Sequence, residues 1–407
     1  MRTLLVSAYA CEPLKGSEPA VGWNWVLQLA KFNKVHVITR ANNETIINQH
    51  LSVELKDNIK FHYYDTPDFI KRLKKKDKGL YFYYFCWQIG IVKLAKRIIQ
   101  KEHVDYTIHL TFGSMWMPTF LPILKTRFIW GPMGGGECVP MLCLSILPWR
   151  QKIVQTFRYL LNATTILNPF ILLPVCRSKA ILARTPNTKN ILPAFCRKKT
   201  HVLLETAMED NIFQYEKKVY DSTEIELIIS ARLISIKNIP MVIRSLKQIK
   251  TDKKWRLTIL GSGPDKKIVL NEIAKQKLDN VEIIPFMARE EALKKILSSD
   301  VFVFPSLKEG GTWALMEAMA MGLPVVCFDW AGMSVETNDD TAIRLKIGKP
   351  EQMEIEMGNA ISNLINSAHL RENLGRAARL RIKKVFNWDA KGAFMEQLFE
   401  DIDKLCQ

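Results

Sequence analysis

Short apolar runs rich in Val, Ile and Leu recur along this chain, and most are followed by a stretch whose apolar residues have helical spacing. This alternation confines the fold to parallel sheets crossed by helices, because parallel strands need long connections and bury both faces. Strands are predicted at Thr3–Ala8, Lys34–Thr39, Tyr106–Leu110 and Arg127–Trp130, with an amphipathic helix over Val21–Phe32. After a polar stretch at 205–220 the pattern restarts. Strands are expected at Ile225–Ser230, Arg256–Leu260, Val281–Pro285 and Val301–Pro305, separated by helices at Ile239–Ile249, Lys266–Lys275 and Glu290–Leu297.

A length of 407 residues exceeds what one hydrophobic core supports. The prediction is an α/β chain of two Rossmann-like doubly wound domains, 1–205 and 206–385, closed by 386–407. In that last segment a helix over Lys391–Leu405 carries Phe394, Leu398, Ile402 and Leu405 on one face. Between Val139 and Phe195, Pro, Leu and Trp are abundant without a clear period, and no elements are assigned there.

The formal charge of +17 is uneven: Lys and Arg outnumber Asp and Glu by 29 to 12 over Met1–Glu205, and the remainder is balanced at 29 to 29. A basic half attracts nucleic acid, anionic lipid or a phosphate-bearing substrate. Patterning favours lipid. The basic run Lys71–Gly79 leads into the aromatic and apolar Leu80–Lys101, whose rings would lie at headgroup level with lysines reaching phosphates. Lys93 interrupts that segment too soon for it to span a bilayer. The competing reading is a core helix with a solvated basic flank. Eight scattered cysteines without a C-x-x-C pair argue against zinc and a disulfide framework, and for a reducing cytoplasm. The opening residues up to Cys11 read as a first strand rather than a lipoprotein signal, since the apolar run is short.

Ser306–Val326 concentrates the chemistry. Two carboxylates, Glu309 and Glu317, stand eight residues apart around a turn of Gly310, Gly311 and Thr312 that opens a helix, which Gly322 and Pro324 close. Glu309 falls at the carboxyl end of a predicted strand, where open α/β sheets bind ligands. The helix start offers unpaired N–H groups and a positive dipole end to a phosphate. Glu309, seven residues, Glu317, then Ala-Met-Ala-x-Gly-x-Pro-Val-Val resembles the signature of retaining nucleotide-sugar glycosyltransferases of the GT-B fold, the GT4 family. The resemblance implies two domains facing a cleft, an acceptor-side N-terminal domain, a donor-binding C-terminal domain, and a final helix crossing back to the first.

Arg232 and Lys237, in Ser-Ala-Arg-Leu-Ile-Ser-Ile-Lys-Asn, are similar to the family's Gly-Arg-Leu-x-x-x-Lys-Gly, whose two cations hold the donor diphosphate. Ala231 and Asn238 depart from its glycines. Gly261 and Gly263 lie in the next strand-to-helix loop, where glycine lets backbone approach a ligand. By resemblance, Met287 occupies the loop that holds the nucleobase. In the first half, Gly16 and Ser17 of Gly-Ser-Glu-Pro-x-Val-Gly-Trp resemble a bacterial variant of the family, with Gly16 giving N–H groups to the leaving phosphate. Ser17 and Pro19 also read as an ordinary helix start, with Ser17 as cap. A lone histidine in an apolar strand is usually a core residue, but the family keeps a donor-contacting histidine at the position matched by His109. The glycines of Gly131–Glu137 suggest backbone packed against a ligand or a neighbouring domain. The one Asp-x-Asp, Asp401 and Asp403, falls on the final helix and reads as a solvated face, so no metal site is expected.

The resemblance therefore implies sugar transfer, with retention, from a nucleotide diphosphate sugar to a hydroxyl of a glycan or lipid-linked acceptor. No cofactor, metal or nucleic acid is expected to take part. In that reading Glu309 contacts the donor sugar, Arg232 and Lys237 stabilise the diphosphate, and Glu317 holds the ribose. Polysaccharide or lipopolysaccharide assembly fits, in the cytoplasm with peripheral contact to an anionic membrane. The alternatives are another GT-B enzyme, such as an epimerase or phosphorylase, and a non-catalytic basic protein binding membrane or nucleic acid.

Overall fold

The computed structural model describes residues 1–74, 78–218, 223–285 and 287–405. Parts of the basic run at 71–79, the linker at 205–220 and the loop before Met287 thus lie outside the described residues. The chain divides into two compact units: Met1–Gly136, Leu161–Glu205 and Trp388–Gln407 form unit 1, and Glu137–Leu160 with Thr206–Asn387 form unit 2.

Unit 1 holds a parallel sheet of β1 (Thr3–Ser7), β2 (Lys34–Arg40), β3 (Ile59–Tyr64), β4 (Tyr106–His109), β5 (Arg127–Met133), β6 (Ser178–Ala183) and β7 (Thr200–Val202), in the order β3-β2-β1-β4-β5-β6-β7. The order reverses between β1 and β4, which makes their carboxyl ends a topological switch point. The helix Leu80–Glu102 turns Tyr84, Trp87, Ile91 and Ala95 into the core of this unit. The rings expected at a lipid headgroup layer are therefore mostly inside: Tyr84 and Trp87 are fully buried, while Tyr81 and Phe82 stay exposed. Packing Tyr84 and Trp87 into the core of this unit removes their large apolar area from water.

The chain returns to unit 1 in the helix Trp388–Leu405. Trp388 meets Trp25 edge-on at 6.2 Å, and Phe399 lies 4.8 Å from Tyr106. Asp403 was expected on a solvated face, yet it accepts from Tyr106 Oη at 2.6 Å and pairs with Arg2 at 2.9 Å. A carboxylate one turn from the helix end meets basic residues at the start of β1 and β5, so it fastens the helix instead of facing water. Asp401 stays exposed and accepts from Gln397.

Unit 2 holds β8 (Glu224–Ser230), β9 (Lys254–Leu260), β10 (Val281–Ile284), β11 (Val301–Phe304), β12 (Val325–Phe328) and β13 (Ala342–Leu345), all parallel, in the order β10-β9-β8-β11-β12-β13. Its switch point lies between β8 and β11. The helix Trp313–Met321 is buried from Leu315 to Met321, and Gly322 closes it in the left-handed conformation at φ 88°. The predicted helix Ile239–Ile249 is shorter, ending at Ser245 and tightening into a 3-10 turn over Leu246–Gln248.

The unassigned region 139–195 contains a 3-10 turn at Met141–Ile146, helices Trp149–Ala163, Pro169–Arg177 and Pro186–Ile191, and β6. Part of it leaves the first domain as predicted: Glu137–Leu160 packs with unit 2, where Trp330 Nε1 donates to Cys138 O at 3.0 Å and Cys143 Sγ lies 3.8 Å from Met353 Sδ. Among the described residues no helix is long and apolar enough to cross a membrane.

Phe399 is fully buried between Tyr106 and the sheet of unit 1. Phe399→Ala is expected to destabilise unit 1 by about 3–5 kcal/mol. Urea unfolding followed by tryptophan fluorescence measures this, and a loss below about 1 kcal/mol would show that the closing helix contributes little.

Candidate functional site

In unit 2 the loops leaving β8, β9 and β11 surround a pocket of about 650 Å³. Arg232, Lys237, Gly261, Gly263, Met287, Gly311 and Thr312 all line it, so seven residues singled out in the sequence converge on one space. The convergence follows from topology. Neighbouring parallel strands end at the same edge, and the switch point leaves no crossover helix above them.

Backbone contacts hold the loops together. Leu233 N donates to Ser262 O at 2.9 Å and Leu307 N donates to Ile236 O at 2.9 Å. Gly261 adopts φ 153°, and a Cβ there would stand 2.0 Å from Ala231 O. Its glycine is thus required by the close approach of the neighbouring loop, in addition to its place on the pocket wall.

Lys237 Nζ donates to Glu309, and Ser306 Oγ donates to the same Glu309 oxygen. The Lys237 and Glu309 side chains are 16% and 13% exposed, so this is a partly desolvated pair that links two pocket loops. Lys237 also lies 5.1 Å from the centroid of the Phe304 ring. Arg232 is exposed, and among the described residues its guanidinium forms no ion pair. The expected pair of cations facing one pocket is present, with one cation engaged by a carboxylate and the other open.

Glu317 sits in the helix after this loop and is 8% exposed. Its Oε1 accepts from Arg289 Nη2 at 2.8 Å and Nε at 3.2 Å. Burial pushes its carboxyl up, against the Arg289 guanidinium, which draws it down. Arg289 was not anticipated from sequence, although it follows Met287 by two residues. Lys308, also unanticipated, is pushed down to about 8 by burial and by Arg158.

The start of the helix Trp313–Met321 is not wholly open to a ligand. Thr312 N and Oγ1 both donate to the buried Glu336 carboxylate at 2.6 Å. A carboxylate at a helix N-terminus is stabilised by the dipole and takes up one unpaired donor. Nothing local in the sequence announces this contact, which spans 24 residues.

His109, Gly16 and Ser17 belong to unit 1. His109 ends β4 at the switch point but is only 2% exposed, with Nε2 3.3 Å from Tyr84 Oη. Burial pushes its imidazole down to about 4. Gly16 lies in open space, where a Cβ would meet nothing within 4 Å. Ser17, expected to cap the helix Glu18–Ala30, makes no side-chain cap bond and has φ 60°. With that backbone its hydroxyl does not reach the first-turn N–H groups. Glu18 instead reaches the loop after β4, accepting from Gly113 N at 2.9 Å.

Residues 210–381 match the family model described as glycosyl transferases group 1. The match covers this segment of unit 2 and under half of the chain. Within the matched segment lie all the pocket-lining residues, along with Glu309 and Glu317. The putative colanic acid biosynthesis glycosyltransferase WcaL of Escherichia coli is 30% identical over 154 residues, covering 33% of this chain and 38% of that protein. The chain spans less than half the length of the curated relatives it matches. Among solved structures, HepE of Anabaena in complex with UDP aligns over 98% of this chain and 100% of its own, at TM-score 0.63 and 12% identity. The lipopolysaccharide outer core galactosyltransferase WaaB aligns over the same shares at TM-score 0.62 and 12% identity. These likenesses show the GT-B fold.

The folded pKa of His109 lies below its ordinary 6.5, so the unfolded chain takes up the extra proton as the solution is acidified. Stability from this group is full above pH 6.5 and is lost as the pH falls towards 4, by an amount on the order of 3 kcal/mol. Denaturation midpoints measured between pH 7 and pH 4.5 are expected to fall with acid, and less steeply in His109→Gln. The same slope in both proteins would show that the histidine is not held neutral.

Proposed function

We propose that the chain is a glycosyltransferase that moves a sugar from a nucleotide diphosphate donor to a hydroxyl acceptor with retention of configuration. The observation that carries this reading is the pocket at the β8/β11 switch point, with Arg232 open on its wall and Lys237 tied to Glu309. Departure of a nucleoside diphosphate leaves negative charge on its oxygens. A guanidinium fixed at the carboxyl end of β8 meets that charge with planar, paired donors. Lys237 adds a second cation, shared between the leaving group and Glu309. The Glu309 carboxylate, oriented by Ser306 and Lys237, faces the donor sugar and stabilises positive charge developing at the anomeric carbon.

Met287 and the backbone near it hold the base, and Glu317, braced by Arg289, holds the ribose hydroxyls. Two cations suffice for the charge of the leaving group, so the reaction is metal-independent in this reading. Retention follows from the family resemblance. His109, whose Nε2 lies beside Tyr84 Oη, and Gly16 and Ser17, all in unit 1, are assigned to donor contact by the family resemblance. The acceptor is a glycan intermediate carried on a lipid, as in surface polysaccharide or lipopolysaccharide synthesis. WcaL, named for colanic acid biosynthesis, and WaaB, named for the lipopolysaccharide outer core, support that assignment. The net positive charge of the first 205 residues supports an anionic membrane as the place of reaction, at the inner face of the cell.

Nucleotide release measured across UDP and GDP sugars, with and without lipid extract, tests the reading. Turnover is expected with one donor, unchanged by a chelator. Arg232→Ala is expected to lower kcat/KM by about 100- to 1,000-fold while the unfolding midpoint holds. Full turnover in Arg232→Ala would remove the residue from the mechanism, and absence of turnover with every donor and extract would count against the activity itself.

A further inference from the structure

Helix Trp149–Ala163 is amphipathic in the wrong sense for a soluble protein. Its protein-facing side is polar: Gln155 is 3% exposed and accepts from Val139 N at 3.4 Å, Tyr159 Oη donates to Val139 O at 2.7 Å, and Arg158 Nη2 donates to Glu137 O at 3.3 Å. Its outward side is apolar. Trp149, Ile153, Phe157 and Leu160 fall on one face at helical spacing and are 66%, 60%, 58% and 61% exposed. A helix anchored by polar contacts while it presents a tryptophan, a phenylalanine and two aliphatic side chains marks an interaction surface.

Charge selects the partner. The stretch 138–204 contains ten Lys and Arg and no Asp or Glu, and the helix itself carries Arg150, Lys152 and Arg158. The Arg150 guanidinium lies 5.3 Å from the centroid of the exposed Trp149 ring. A second copy of the chain on this face would bring like charges together across a two-fold axis. A bilayer containing anionic lipid offers both an apolar layer and the opposite charge. We propose that the outward face of helix Trp149–Ala163 docks on an anionic membrane, with the Trp149–Ile153–Phe157–Leu160 row entering the acyl boundary and Arg150 among the phosphates. The helix Leu80–Glu102 commits Tyr84 and Trp87 to the core and leaves Tyr81 and Phe82 outward. The inference extends the lipid-linked acceptor proposed above, and rests on it only for the reason that docking is useful.

Flotation of the full chain with vesicles, in the absence of any sugar nucleotide, separates the two. The wild-type chain is expected to float with phosphatidylcholine vesicles containing phosphatidylglycerol and much less with phosphatidylcholine alone. Ile153→Glu combined with Phe157→Glu is expected to reduce partitioning at least about tenfold. Both side chains point outward, so circular dichroism and the unfolding midpoint should hold. Arg150→Glu, which leaves the apolar row intact, should weaken binding to the anionic vesicles more than to the neutral ones. Equal partitioning of wild type and the double variant would overturn the proposal, as would a self-association in size-exclusion chromatography that the double variant abolishes while vesicles bind neither. Flotation without sugar transfer would count against the enzymatic reading alone, and transfer without flotation against the docking surface alone.

Discussion

The site of unit 2 depends on one link between two loops. Leu307 N donates to Ile236 O, and above that backbone bond Lys237 and Ser306 both donate to Glu309. These contacts join the loop after β8 to the loop after β11, the two strands on either side of the switch point. Removing either charge would leave the other partly buried and unpaired, a change that costs about 3–5 kcal/mol in comparable pairs. Arg232 and Thr312 line the pocket from these same two loops. A ligand phosphate that drew Lys237 away would alter the environment of Glu309, the carboxylate proposed to face the donor sugar.

Much of this was legible in the primary structure because it is local. Strand ends, loop glycines and helix starts follow from apolar period and from Gly and Pro, so Arg232, Lys237, Gly261 and Gly311 could be placed at strand ends before any fold was known. Parallel topology then brings those ends together without further information. What was not legible is contact over long separations. Glu336 meets Thr312 across 24 residues, and Glu137–Leu160 joins a unit that otherwise begins at Thr206. The aromatic row of Leu80–Glu102 showed the same apolar content whether it faced lipid or a sheet, and only the sheet decided. His109 illustrates the same limit: its position at the end of β4 was readable, but its burial beside Tyr84 was not.

Charge and apolar surface are distributed in complementary ways. Unit 2 holds the ion pairs Lys237–Glu309 and Arg289–Glu317 near the pocket, each with a nearly buried carboxylate. The uncompensated positive charge lies in the first 205 residues and most purely between 138 and 204, a stretch that contributes Arg150, Lys152 and Arg158 to unit 2. The proposed transfer from a soluble anionic donor to a membrane-held acceptor would use both kinds of surface, one partly desolvated, the other exposed.

In the proposed reaction the β8/β11 pocket holds the diphosphate of a nucleotide through Arg232. Isothermal titration calorimetry of UDP and GDP into the wild-type chain and Arg232→Ala, at two ionic strengths, tests it most directly. One nucleotide is expected to bind the wild type, added salt to weaken the binding, and the substitution to weaken it at least about tenfold. Equal affinity in the two proteins, or binding of neither nucleotide to the wild type, would contradict it.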